Sequence, residues 1–299
     1  MSTSANNHAK GLALTALGGL TLTVDIPLIR LAGGDSWTIL FLRAGTTLAM
    51  ALIIWAVWRR FSNKAPQLIP GRAGLVVAAL YGLGSVAFIT GVYNTSTANL
   101  VFILAFNTMF AALLSWLFLK ERPRPATLVA MVLMLLGVLI IVWDSIGTGQ
   151  MFGNLMGVVS ALCIASALTI SRASGREMGL ASLVGVVFPF ALAAFMVSKT
   201  GLNVSAPWWI IFNGAVVMPI SFFCLANGPK YLSSPEVAMF YLLETVLAPI
   251  WVWMIFAEVP SRNSLIGGAI LIVTLIAHSL WQLHDGRRRR ATLAVQHPA

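Results

Sequence analysis

Glu236–Pro260, EVAMFYLLETVLAPIWVWMIFAEVP, is an apolar run long enough to cross a bilayer, and it carries Glu244 inside it. At ~1.5 Å rise per residue, Glu244 lies ~14 Å from Pro235 and ~20 Å from Ala257, near the middle of a ~30 Å hydrocarbon layer. A carboxyl group at that depth costs at least ~2.5 kcal/mol on insertion scales. Such a residue faces a partner or a water-filled cavity, where it meets an ion, a proton or a substrate.

The same stretch has an echo earlier in the chain. Laid without a gap on Ser234–Pro260, Thr97–Pro123 (TANLVFILAFNTMFAALLSWLFLKERP) matches Thr108 with Thr245, Ala111 with Ala248, Trp116 with Trp253, Glu121 with Glu258 and Pro123 with Pro260. Glu244 falls opposite Asn107. The same offset upstream pairs Gly91 with Gly228 and Ser96 with Ser233, while the first and sixth apolar segments align Gly11 with Gly153, Arg30 with Arg172 and Gly33 with Gly175. The chain reads as two copies of one unit, residues 1–148 and 149–299, joined near 144–152.

Of 299 residues, 59% are hydrophobic and 9% charged, with a mean hydropathy of +0.88. The polar surface that a water-soluble globule of this size needs is missing, so the expected class is a polytopic, all-α integral membrane protein. Cys163 and Cys224 fall inside apolar segments without metal-ligand spacing, and they read as packing residues.

Charge, Gly and Pro clusters bound ten transmembrane helices, at roughly 11–31, 36–57, 73–92, 98–118, 126–143, 153–171, 180–198, 207–226, 235–257 and 263–283. With the amino terminus in the cytoplasm, the inner segments collect Lys10, Arg59, Arg60, Lys64, Arg72, Lys120, Arg122, Arg124, Arg172, Arg176, Lys230 and the tail Arg287–Arg290. The outer side keeps Arg30, Lys199 and Arg262. The net charge of +10 is thus a topology signal of the positive-inside kind, which leaves no case for nucleic acid. Five spans per copy is an odd number, so the second copy enters the membrane the other way round. In transporters such inverted five-helix repeats place the substrate site near the midplane between them.

The ten spans in two fives, the Glu-x-Pro endings at Glu121 and Glu258, Gly91–Leu100 (GVYNTSTANL) and Gly267-Gly268 together resemble the EamA-type ten-helix branch of the drug/metabolite transporter superfamily. Within that branch, Asp25–Arg30 (DIPLIR), Trp37–Arg43 (WTILFLR) and Leu243–Pro249 (LETVLAP) are similar to members that export amino acids, aromatic ones included. The first copy departs from the family pattern at Ala112, which stands opposite Pro249. The resemblance implies a carrier of the bacterial inner membrane that works by alternating access, with both termini cytoplasmic and no cofactor. Its partners would be the lipid bilayer and a small-molecule substrate, an amino acid, and an internal repeat makes a monomer sufficient.

The residues themselves suggest where the work is done. Asp25 lies ~12 Å in from Gly33 and Arg43 ~10 Å in from Ser36, on neighbouring helices measured from one face, which predicts an ion pair. It would be an outer gate, a site for substrate ammonium and carboxylate, or a static clamp on the helix hairpin. Glu244 would line the translocation cavity as a countercharge or protonatable group, or else make a buried interhelical hydrogen bond. Tyr241 and Phe240 share its helical face, and Ile103, Leu104 and Ala111 flank Asn107. Tyr81 and Ser85, an i, i+4 pair near mid-depth, add hydroxyls; helix packing or lipid contact is the plainer reading of each aromatic. Pro27, Pro189, Pro219 and Pro249 sit inside spans as hinges or static kinks.

No H-E-x-x-H, G-x-S-x-G or Walker A loop occurs, which argues against a membrane enzyme or an ATP-driven pump. A passive channel and an exporter of cationic drugs or other small metabolites remain the rival readings, since Glu244 would serve the latter equally well.

Overall fold

The computed structural model describes residues 2–61, 67–120, 125–144, 149–274, 276–278 and 281. The linker cations Lys64, Arg122 and Arg124, the motif residues Glu121 and Pro123, and the basic tail lie outside them. Among the described residues, nine helices are long and apolar enough to span a bilayer: α1 (Ala9–Ala32), α2 (Ser36–Phe61), α3 (Gly71–Asn94), α4 (Thr97–Leu119), α5 (Pro125–Trp143), α6 (Met151–Ser174), α7 (Gly179–Thr200), α8 (Pro207–Lys230) and α9 (Glu236–Phe256). A shorter apolar helix, α10 (Arg262–His278), stands where the sequence places a tenth span.

Several of the residues matched in the sequence take similar local geometry. Ser96 and Ser233 each cap a helix start: Ser96 Oγ accepts from the Asn99 amide, and Ser233 forms a capping box with Glu236. At the other end of those helices, Lys120 (φ 57°) and Ala257 (φ 54°) are left-handed C-caps, a conformation that costs a residue with a Cβ. Gly33 and Gly175 end α1 and α6 at φ 60° and 62°, but with ψ of 149° and 9°, so that only Gly175 is a left-handed cap.

The helices pack as antiparallel pairs, and small residues set the registers. In α3 and α6, Gly91 meets Gly153 and Gly84 meets Cys163, with Ser160 Oγ donating to the Gly84 carbonyl. In α2 and α7, Gly45 lies under Phe190 while Ala51 clusters with Leu180 and Leu183. In α5 and α10, Gly137 faces Gly267, and Thr127 bonds His278 at 2.9 Å. In α1 and α8, Gly11 meets Tyr231 and Gly18 meets Cys224. Finally, the first half of α9 packs on the second half of α4, and the second half of α9 on the first half of α4.

Five spans are irregular at mid-depth. The ring of a helical proline clashes with the carbonyl four residues before it, and three of the irregularities sit at that position. Pro27 accounts for the break at Thr23–Val24, Pro189 for the one at Gly185–Val186, and Pro219 for the π-helical turn Asn213–Val217. Pro249, by contrast, lies within the continuous segment Leu242–Phe256. The breaks of α4 at Ala105–Phe106 and of α9 at Tyr241 involve no proline; tightened i→i−3 bonds mark them, from Phe106 N to Ile103 O and from Glu244 N to Tyr241 O. There the two helices cross, and Thr245 Oγ1 donates to the Val101 carbonyl at 3.2 Å.

One end of the bundle is basic. Arg176 reaches the Pro70 carbonyl, Arg172 the Pro229 carbonyl, and Lys230 pairs with Glu177 at 2.5 Å. The opposite end is closed by the Gly34–Val204 bridge and by an Arg30–Glu258 ion pair at 3.0 Å, in which Glu258 also accepts from the Thr97 amide.

Candidate functional site

Beside the crossing of α4 and α9 lies a cavity with about 510 Å³ of empty space, its open mouth included. Seven helices line it: Leu22 and Asp25 from α1, Arg43 from α2, Tyr81, Gly84, Ser85 and Phe88 from α3, Leu104 and Asn107 from α4, Ser160 and Ile164 from α6, Phe222 from α8, and Tyr241 and Glu244 from α9. Of the eight residues singled out in the sequence, Asp25, Arg43, Tyr81, Ser85, Asn107, Tyr241 and Glu244 therefore meet at one place.

Phe240 does not join them. Its backbone carbonyl faces Gly19 of α1, so closely that a methyl group on that glycine would come within 2.5 Å of it, and its half-buried side chain packs against the apolar cluster that holds Leu22, Val237 and Ala238. The reason is the turn at Tyr241: a tightened step removes the regular i, i+4 relation that puts Phe240 on the face of Glu244. Ile103 and Ala111 are also buried in the packed core away from the lining.

The wall made by α1, α2 and α8 is fully paired. Arg43 Nη2 lies 2.6 Å from Asp25 Oδ2, Nη1 donates to Ser85 Oγ at 3.2 Å, and Nε donates to Asn213 Oδ1 at 3.2 Å. Asn213 Nδ2 closes the ring by donating to Asp25 Oδ1 at 2.7 Å and to the Asp25 carbonyl at 3.2 Å. Met218 Sδ and the face of Phe88 complete the surroundings of the guanidinium. Both charged side chains are almost wholly buried, at 5% and 2% exposure. Gly214 makes this possible, because a Cβ there would sit 2.5 Å from the Arg43 carbonyl and hold α8 away from α2.

The α3, α4 and α9 side is different. The hydroxyls of Tyr81 and Tyr241, Asn107 Nδ2 and Glu244 Oε1 are buried without a hydrogen-bonding partner in the protein. The two phenols lie close together, but not at hydrogen-bonding geometry. Each unpaired buried polar group costs ~1–3 kcal/mol, so four of them around one cavity mark a place that a ligand or water completes. Around them stand apolar and aromatic groups, with Tyr81 and Phe222 tilted against each other at 5.1 Å.

Sequence reasoning passed over Asn213, Met218, Phe88, Phe222 and Ser160. Asn213 stands within the apolar run IIFNGAVVMPI, a signal that could have found it, whereas Asn107 is drawn out by its place opposite Glu244. What aims it at Asp25 is the π turn, which no periodicity rule anticipates.

Comparison with known proteins accords with this architecture. An uncharacterized transporter of Archaeoglobus fulgidus is 24% identical over 279 residues, covering 89% of this chain and 95% of its own. The pseudopaline exporter CntI of Pseudomonas aeruginosa is 24% identical over 282 residues, covering 90% and 95%. A protein of known crystal structure superposes with a TM-score of 0.68 over 92% of this chain and 98% of its own, at 15% identity, a likeness of fold. The EamA-like transporter family matches twice, over residues 9–143 and again over 151–280. This multi-pass membrane protein, with its central cavity between paired helices, belongs to the EamA-like transporter family and is a transporter.

Proposed function

We propose that the protein exports amino acids, aromatic and other apolar ones, across the bacterial inner membrane by alternating access, with both termini in the cytoplasm. The observation that carries this reading is the cavity at the α4–α9 crossing, where Glu244 and Asn107 stand open among aromatic side chains. An ammonium group answers Glu244, and an apolar side chain answers Phe88, Phe222, Tyr81 and Tyr241. Asp25 and Arg43 serve as the clamp that fixes α1, α2 and α8 around it, and Phe240 serves in packing.

The helix pairs support inverted repeats, 1–148 and 149–299. Exchanging the halves turns the α1–α8 pair into α6–α3 and returns α2–α7, α4–α9 and α5–α10 to themselves, as a two-fold axis in the membrane plane requires. The basic end of the bundle supports its placement in the cytoplasm. The paired breaks in α4 and α9 supply bending points beside the cavity, and one chain suffices for the cycle.

Export of another class of small metabolite, or of cationic drugs, is the second reading, favoured by the likeness to a pseudopaline exporter. Counterflow of labelled phenylalanine into liposomes holding the purified protein decides between them, with other amino acids, a cationic dye and a sugar as competitors. Saturable exchange competed by amino acids alone is the expected result. Competition by the dye, without phenylalanine exchange, overturns the amino-acid reading, and unsaturable flux without counterflow points to a channel.

A further inference from the structure

The two charged groups that an amino acid would first be expected to seek, Asp25 and Arg43, are already committed to partners within the protein. Asp25 accepts at both carboxylate oxygens, and Arg43 donates from all three nitrogens to Asp25, Ser85 and Asn213. A substrate carboxylate that displaced Asp25 from Arg43 would strand Asp25 in a buried setting, where an unpaired charge is strongly disfavoured. Across the cavity the situation is reversed. Tyr81 and Tyr241 hydroxyls and Asn107 Nδ2 are hydrogen-bond donors without an acceptor, and Glu244 Oε1 is unpartnered. All four residues line the cavity, and each is at least nine-tenths buried, at 3%, 5%, 0% and 5% exposure in that order.

We propose that the cavity is a zwitterion site in which Glu244 takes the substrate's ammonium group while Tyr81, Tyr241 and Asn107 take its carboxylate, Arg43 remaining with Asp25. This rests on the amino-acid exporter reading and makes it specific: both charged ends are read, the carboxylate by neutral donors and the ammonium group by Glu244. The arrangement separates amino acids from amines and from carboxylic acids of the same side chain. Each lacks a group to satisfy one of the open partners, and a site built to hydrogen-bond a group discriminates against analogues without it.

The test is phenylalanine counterflow in proteoliposomes, with phenethylamine and 3-phenylpropionate as competitors. The expected result is that each competes at least ten-fold more weakly than phenylalanine. A Tyr81→Phe, Tyr241→Phe double variant should weaken phenylalanine about ten-fold while weakening phenethylamine much less, and Glu244→Gln should weaken both. Equal competition by phenethylamine and phenylalanine on the parent protein overturns the carboxylate half without needing any variant to fold. An unchanged phenylalanine affinity in a tyrosine variant that elutes as a monodisperse species also overturns it, and leaves the exporter reading standing. If the parent exchanges no phenylalanine at all, the exporter reading itself falls.

Discussion

The two walls of the cavity hold similar chemistry in opposite states. On one side Asp25, Arg43 and Asn213 are tied into a closed ring of hydrogen bonds, with Ser85 accepting from Arg43 beside it. On the other side Glu244, Asn107, Tyr81 and Tyr241 keep polar atoms that no protein group satisfies. Burial is the same on both sides, so it does not separate them; saturation does. A saturated polar cluster in a membrane is a fastener whose members hold one another in place, whereas an unsaturated one is stable only when something else arrives. On that difference rests our proposal that the closed wall serves structure and the open wall transport.

The sharpest way to break that assignment is to open the closed wall. Arg43→Gln leaves Asp25 buried opposite a neutral amide, and removing one partner of a buried pair costs ~3–5 kcal/mol. The expected outcome is a large loss of monodisperse protein and of apparent Tm in detergent. A double variant, Asp25→Asn with Arg43→Gln, should recover part of that loss because no charge is stranded. If Arg43→Gln stays as stable as the parent and loses only transport, the pair is a gate and the comparison fails.

Glu244→Gln probes the open wall, and the expected effect has the opposite character. No partner is stranded and a costly buried ionisable group is removed, so apparent Tm should be unchanged or higher. Phenylalanine exchange should fall at least ten-fold, a loss of ~1.4 kcal/mol or more in affinity. A variant that unfolds would put Glu244 with the fasteners, and one that is stable and transports like the parent would remove it from the open wall's work.

Most of the residues of the two walls were legible in the sequence, though not their division into closed and open, for a physical reason: charges are rare in apolar spans, so the few present draw attention to themselves. Asp25 and Arg43 sit at matching depths on a short hairpin, and the pair is found at 2.6 Å. The likeness of Ser96 to Ser233 and of Gly33 to Gly175 reappears as like caps and like positive φ angles. What stayed hidden depends on departures from the ideal helix. Phe240 leaves the face of Glu244 because of a tightened turn that no proline announces, and Asn213 reaches Asp25 through a π turn. A lone Pro249 suggests a hinge in α9, yet the helix bends eight residues earlier, at Tyr241. Glu121, the mate of Glu258, falls outside the described residues.

Asp35 extends the comparison to a saturated carboxylate near the surface. It caps α2 with bonds from the Trp37 and Thr38 amides at 3.0 Å and from Thr38 Oγ1 at 2.6 Å. Partial burial pushes its pKa up, but the hydrogen bonds from Thr38 and Trp37 outweigh that and hold it below the usual carboxylate value. A depressed pKa means that the stabilisation is fully present above the ordinary value of ~3.9 and is lost as pH falls through the folded one. Asp35→Ala should therefore cost ~1 kcal/mol at neutral pH, typical of a lost N-cap, with the gap from the parent narrowing in acid. A gap that widens on acidification would reverse the sign of this account.

The smallest effect is expected at the rim, where the Arg30–Glu258 pair repeats the chemistry of Arg43–Asp25 under different solvation. Its separation is 3.0 Å and its side chains are 28% and 27% exposed. Water already solvates both charges there, so the pair carries ~0–1 kcal/mol and is screened by salt. Arg30→Gln should shift Tm by a small amount that shrinks between low and high ionic strength, while the Arg43→Gln shift stays the same across that range. Equal losses from the two substitutions would mean that charge alone, and not desolvation, makes the closed wall hold. A salt-independent loss at Arg30 would mean that its pair with Glu258, which also receives the amide of Thr97, is buried in the membrane-bound protein more deeply than its exposure implies.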